Sequence, residues 1–196
     1  MIIGISGKKR SGKDTVCQMM HDITGNDIHT MRAAFGDQIK SEVSDAMRVN
    51  VDALIEEDKE RMRPLLQWWG TEFRRGYCGA DYWINKMRVR ANRVYHSEWL
   101  IITDVRFPDE AAMVKEMDGV MIRVDRETAS DDQHPSETAM DEYAGYDYRL
   151  TNNGTLEELS DAVVDIINDI TRTETMPYWM KKSHNAGVEF RFNKDE

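Results

Sequence analysis

The chain opens on an apolar run, residues 1–6, rich in isoleucine and ending in Ser6. A continuous run, as opposed to an alternating one, predicts a strand buried on both faces, as in a parallel sheet. The period then changes: over residues 12–24, Val16, Met19, Met20 and Ile23 recur at helical spacing. A short strand is expected around 28–35, a helix over 37–47 and another over 51–60, with Asp52 near its start. Pro64 suits the first turn of a further helix, whose apolar face is Leu65, Leu66, Trp69 and Phe73, up to Gly76. A helix over about 81–95 follows, and then the clearest central strand, 99–105. Pro108 and Asp109 open a helix ending near Met117, and 119–124 reads as a strand. Residues 148–150 read as a short strand and 156–170 as an amphipathic helix. Residues 125–143 are polar and acidic, unlike their flanks, and beyond Thr173 there is no clear periodicity.

Strands alternating with helices predict an α/β fold, a parallel sheet covered by helices on both faces. No repeat or linker interrupts the 196 residues, which fit one domain. The helical stretch of about 37–96 is long for one crossover. It is expected as an insertion on a core of 1–36 and 97–172, followed by a C-terminal tail, 173–196.

Composition narrows the partners. With 26 Lys and Arg against 36 Asp and Glu, the net charge is −10. An acidic chain is a poor general surface for nucleic acid or anionic membrane, and neither is expected as a partner. A small phosphorylated ligand needs only a local cluster of donors. Cys17 and Cys78 form no CxxC pair and the histidines offer no zinc spacing, so two reduced thiols are expected. Residues 1–7 read as a strand and not a secretion signal, and no window approaches the roughly 20 apolar residues of a membrane span. A soluble, cytoplasmic protein is expected.

Gly7-Lys8-Lys9-Arg10-Ser11-Gly12-Lys13 matches GxxxxGK between a predicted strand and a predicted helix, the setting a phosphate-binding loop (P-loop) requires. Glycines let the backbone curl so that N–H groups of the loop, Arg10 and Ser11 included, and the helix start point at phosphate oxygens. Lys13 would reach the β- and γ-phosphates. Asp14 stands where Ser or Thr usually follows the lysine, and Thr15 comes next. A similar spacer precedes the threonine of adenylate-kinase-like enzymes, so Thr15 is the expected magnesium partner. Asp14 is left to shift the metal or face the acceptor. A glycine-rich turn before a solvated lysine is the bland alternative.

Three further constellations bear on catalysis. The strand 101–105 ends in Asp104, like a Walker B carboxylate that orients metal-bound water, with Arg106 two residues on. Asp104 as a plain cap is the alternative. On a helix, Gln67, Thr71 and Arg74 or Arg75 share one face that would hold a monophosphate and a base edge. Trp68 and Trp69 cannot both face the core, so one is free to stack on a base; an amphipathic core helix is the alternative. Arg126 leaves the fourth strand where a lid, about 125–143, would close on the transferring phosphoryl group. Arg123 is either a second such cation or a solvated strand residue. Asn152 and Asn153 precede the last helix, where a loop meets an adenine ring or simply turns.

Together GKKRSGKDT (7–15), FGDQIK (35–40), LQWWGTEFRR (66–75), DYW (81–83), ITDVRFPDEA (102–111), HPSE (134–137) and TNNGTLEEL (151–159) resemble the bacteriophage deoxynucleoside monophosphate kinase family. The resemblance spans about 150 residues; around the P-loop the chain is also similar to animal-type phosphomevalonate kinases. It implies a P-loop NTPase fold of the nucleoside monophosphate kinase type, ATP as donor, Mg2+, and a deoxynucleoside monophosphate (dNMP) acceptor. Lys13, Asp14, Asp104 and Arg126 would be catalytic, with Thr15 and Asp104 at the metal. Gly7, Arg10, Ser11, Gly12, Lys13, Asp14, Thr15 and the Asn152–Asn153 pair would hold ATP. Lys40, Gln67, Trp69, Thr71, Arg74, Arg75, Trp83, Arg106, Ser136 and Glu137 would serve the acceptor. If the chain is phage-encoded, its compartment is the host cytoplasm. Base preference and a homodimer are left open. The competing readings are a kinase of another phosphorylated metabolite and a non-catalytic ATP-binding protein.

Overall fold

The computed structural model describes residues 1–25, 27–95, 98–127, 133–175 and 188–190. The chain divides into two compact units, one of Met1–Arg32 with Val94–Glu196 and one of Ala33–Arg93.

The first unit carries the sheet, whose strand order is β2-β3-β1-β4-β5-β6. Its strands are β1 (Ile2–Ser6), β2 (His29–Ala33), β3 (Glu98–Ile102), β4 (Val120–Asp125), β5 (Tyr148–Thr151) and β6 (Val188–Phe190). β1 pairs in parallel with β3 (Ile3 opposite Ile101) and with β4 (Ile5 opposite Ile122), and β4 with β5. A parallel neighbour on each side explains why β1 is wholly buried and apolar up to Ser6. The expected α/β fold, a parallel sheet with helices on both faces, is the fold observed.

Helices cover both faces. On one, α1 (Lys13–Thr24) and α7 (Leu156–Thr175) bury Val16, Met20, Leu159, Val163, Ile166 and Ile170 against Ile3, Ile5, Ile101 and Ile122. Each such side chain contributes roughly 1.5–3 kcal/mol. On the other, α5 (Pro108–Glu116) packs on β1 and β4. Pro108 begins α5, and the Glu110 carboxylate accepts the Arg106 and Phe107 N–H groups at 2.8 and 3.2 Å. The Phe107 N–H, at the cap, has no backbone acceptor within the helix itself.

β3 is shorter than expected because the chain turns at Thr103–Asp104, after which Val105 N–H bonds Ile5 O at 3.1 Å. The tail contributes an unexpected element: β6 extends the sheet, with Val188 opposite Tyr148. Three residues are too few to show a period. A one-turn helix, α6 (Pro135–Thr138), was also not expected. The rest of the tail, 176–187 and 191–196, and residues 128–132 of the expected lid lie outside the described residues.

The second unit is helical: α2 (Phe35–Met47), α3 (Val51–Gln67), a π-helix (Trp68–Cys78) and α4 (Tyr82–Ala91). Here one boundary expectation fails. Pro64 does not open a helix; it lies inside α3, which runs on into the π-helix. Asn50 caps the start of α3, its side chain accepting the Ala53 N–H at 3.1 Å. With that cap and three turns already formed before Pro64, loss of one ladder bond does not end the helix.

Candidate active site

The P-loop leaves the carboxyl end of β1, at the point where β3 and β4 flank it on opposite sides, the usual place for a ligand in such a sheet. Gly12 caps α1 at φ 104°, a left-handed conformation, and a Cβ there would collide with Asn152. Arg10 holds φ 64°, at a cost of about 1–2 kcal/mol for a non-glycine residue. Ser11 is buried, with its hydroxyl against Gly7. Lys13 curls back over the loop, its Nζ donating to Gly7 O at 2.9 Å and Lys8 O at 2.8 Å. Burial, and next the neighbouring Arg106 guanidinium, pull its pKa from 10.5 down to about 8. Glu137, Asp14 and Asp104 pull the other way.

Two predicted nucleotide contacts have places behind this loop. Asn152 is buried; its Nδ2 donates to Ser11 O at 2.8 Å, bracing the P-loop backbone. Asn153 accepts the Glu127 N–H at 3.0 Å and is exposed.

Arg106 stands beside Lys13. Its Nη1 donates to Ser136 O at 3.2 Å and to Glu137 Oε1. Burial opposes its charge, but Glu137 and Asp104 outweigh that and keep it firmly protonated. The Glu137 carboxylate is 2% exposed and also accepts the Lys9 N–H of the P-loop at 3.3 Å. Lys8 Nζ donates to Glu137 O and to Asp141 at 2.8 and 2.6 Å. Thus α6 fastens the loop to Arg106, and Ser136 and Glu137 meet these groups of the chain itself.

Asp14 and Thr15 are exposed on the first turn of α1, and Asp14 pairs with Arg32 at 3.5 Å. Arg126 is exposed at the exit of β4. Arg123 is neither a solvated residue nor an open cation. It is buried, donating to Asp125 at 2.8 Å and to the Tyr146 hydroxyl at 3.3 Å.

In the second unit, the centre is a residue the sequence did not single out. The Glu42 carboxylate accepts from Trp69 Nε1 at 2.8 Å, Arg74 Nε at 2.6 Å, Lys86 Nζ at 3.1 Å and the Tyr82 hydroxyl. Burial disfavours its charge, yet these donors hold its pKa at about 2. Arg74 also lies over the Phe73 ring at 4.8 Å and the Tyr82 ring at 5.0 Å. Trp69 and Arg74 are therefore tied to Glu42. Of the two adjacent tryptophans, Trp68 is the exposed one, stacked on Phe73 with centroids 5.4 Å apart. Trp83 is 1% exposed, with its indole N–H on Gly70 O at 2.8 Å, a core position with no face to offer a substrate.

The π-helix explains which arginine goes where. In its i→i+5 ladder, residues four to five apart share a face. Trp69 and Arg74, five apart, both reach Glu42. Arg75 falls instead on the row of Gln67 and Thr71. Gln67 Nε2 is buried without a hydrogen-bond partner among the described residues. Lys40 pairs with Asp52 at 3.3 Å and Asp37 at 4.0 Å. An isolated Glu on an amphipathic helix reads as solvated, so no local signal marked Glu42.

The chain was compared with known proteins. A mimivirus protein (Acanthamoeba polyphaga mimivirus), provisionally named deoxynucleotide monophosphate kinase, is 27% identical over 194 residues, covering 88% of this chain and 98% of that protein. Among solved structures, shikimate kinase from Aquifex aeolicus matches with a TM-score of 0.48 and 13% identity, covering 87% of this chain and 98% of that one. TT1252 from Thermus thermophilus matches with a TM-score of 0.48 and 14% identity, covering 87% and 97%. The mimivirus relative points to a kinase, and not to a bacteriophage family in particular. The profile of the phosphomevalonate kinase family matches residues 5–119, more than half of the 196 and including the P-loop, Asp104 and Arg106. The chain belongs to the phosphomevalonate kinase family and is a kinase of the P-loop class.

Proposed function

We propose that the protein transfers the γ-phosphate of ATP to a dNMP, giving a dNDP and ADP. An oxygen of the acceptor phosphate attacks Pγ, and the bond from Pγ to the ADP oxygen breaks. The observation that carries phosphoryl transfer is the juxtaposition of Lys13 and Arg106 at the P-loop, two neighbouring cations, with Lys13 Nζ over the loop carbonyls and Arg106 bonded to Glu137. Bringing cations together is costly unless an anion is to lie between or upon them. The dNMP acceptor draws its support from the mimivirus relative, which aligns over nearly its full length.

Lys13 would exchange its two carbonyl partners for β- and γ-phosphate oxygens. N–H groups of the loop and of the start of α1 would hold the β-phosphate. Arg106 would bind the acceptor phosphate, and Arg126 the transferring phosphoryl group. In the second unit, Arg75 with Gln67 and Thr71 would recognise the acceptor, while Arg74 holds Trp69 and Tyr82 in place through Glu42. Magnesium fits the donor set. Thr15 and Asp104 offer oxygens, as a hard cation requires, and no cage of three His, Cys, Asp or Glu exists among the described residues. Mg2+ takes most of its ligands from phosphates and water. When bound, it would neutralise charge on the β- and γ-oxygens.

A second reading, phosphomevalonate as acceptor, is favoured by the family profile. An ADP-release assay with four dNMPs and mevalonate 5-phosphate separates them. A dNMP should give release above the ATPase background. Release with mevalonate 5-phosphate and with no dNMP would overturn the proposal.

A further inference from the structure

We propose that Glu137 is a positioning residue that clamps Arg106 to the P-loop, so that guanidinium and loop meet the reacting phosphates as one rigid group. The inference rests on the reading above, in which Arg106 binds the acceptor phosphate.

Three observations carry it. First, the Glu137 carboxylate is 2% exposed, on a helix of a single turn, α6. A carboxylate taken out of water is costly unless paired and hydrogen-bonded, and so short a helix supplies little stability of its own. Second, its two oxygens point two ways, Oε1 to Arg106 and Oε2 to the Lys9 N–H at 3.3 Å. Those partners lie 31 and 128 residues away in sequence. Third, the backbone of the same turn repeats the pattern: Ser136 O accepts from Arg106 at 3.2 Å, and Glu137 O from Lys8 Nζ at 2.8 Å. Side chain and main chain thus make the same bridge twice. A carboxylate that served the acceptor directly would instead face solvent, and it would repel an anionic substrate.

A double-mutant cycle on the full chain tests this, with kcat/KM for whichever acceptor of the dNMP and mevalonate 5-phosphate panel is turned over. Arg106→Ala should lower kcat/KM at least tenfold, and Glu137→Gln should lower it about tenfold, largely through acceptor KM. The double variant should match Arg106→Ala within about threefold, because Glu137 acts through Arg106. Losses that multiply would overturn the clamp. So would a Glu137→Gln enzyme with a lower melting temperature and a wild-type acceptor KM, the result a merely structural carboxylate gives. If Glu137→Gln fails to fold, Glu137→Asp enters the same cycle. If no acceptor in the panel is used, the cycle is run on ATP hydrolysis. That result sinks the proposed function and leaves the clamp to be judged by its own coupling. Wild-type kinetics in Arg106→Ala sinks the clamp alone if a dNMP is still phosphorylated.

Discussion

Lys13 carries its charge against opposition. Its pKa in the fold, about 8, lies below the ordinary 10.5. The folded chain therefore favours the neutral amine. Below pH 8 the free protein bears the full penalty, and stability rises as pH climbs from about 8 toward 10.5. ATP binding runs the other way, since phosphate oxygens want the ammonium. The ATP Kd should weaken about tenfold between pH 7 and 9.5; a flat Kd over that range would contradict this. Lys13→Ala should cut turnover at least about 100-fold while leaving the circular dichroism melt near wild type. Magnesium removal tests the neighbouring residues. Excess EDTA should abolish ADP release, and Thr15→Val should raise the Mg2+ concentration for half-activity. An unchanged Mg2+ titration in Thr15→Val would pass the role to Asp14.

At the scale of the element, the π-helix sorts two adjacent arginines. Arg74 is spent on Glu42 and three aromatic rings, whereas Arg75 lies on the row of Gln67 and Thr71. Arg74→Ala should therefore lower stability, and Arg75→Ala should raise acceptor KM. The reverse pattern in urea melts and kinetics would mean that an α-helical register holds in solution. Glu42 contributes to the stability of this unit through its four donors. Its carboxyl is held down to about 2, so its contribution is complete above the unfolded value near 4.5. That contribution is lost as pH falls from about 4.5 through 2. Glu42→Gln should cost about 2–3 kcal/mol at pH 7, and the difference from wild type should shrink below pH 4, read by chemical denaturation.

Across the molecule, the core holds the sheet to α1 and α7, and α1 carries the P-loop lysine. Ile166, 1% exposed on α7, packs in that core. Ile166→Ala should lower stability by about 2–5 kcal/mol and leave KM for ATP within twofold at low temperature. An unshifted urea midpoint would remove Ile166 from the core. Much of this architecture was legible along the chain. The largely apolar runs at 1–6 and 119–124 read as buried strands, and a GxxxxGK between strand and helix points to a phosphate-binding loop. Those inferences depend on neighbours within about seven residues, the reach of helical and strand periods. What periodicity could not reach was pairing across the chain. Pro64 read as a beginning because the cap at Asn50 and the length of α3 were not visible at that position. Arg74 and Arg75 were equivalent until the ladder widened and Glu42 took one of them. Glu137 looked like a substrate ligand until its carboxylate met Arg106 and the Lys9 N–H. The sequence by itself determined the first five strands, the P-loop and the class of chemistry, because each is written in local spacing. Only the tertiary structure decided which charges are satisfied within the chain, because burial and long-range partners, not residue type, set the cost of a charge.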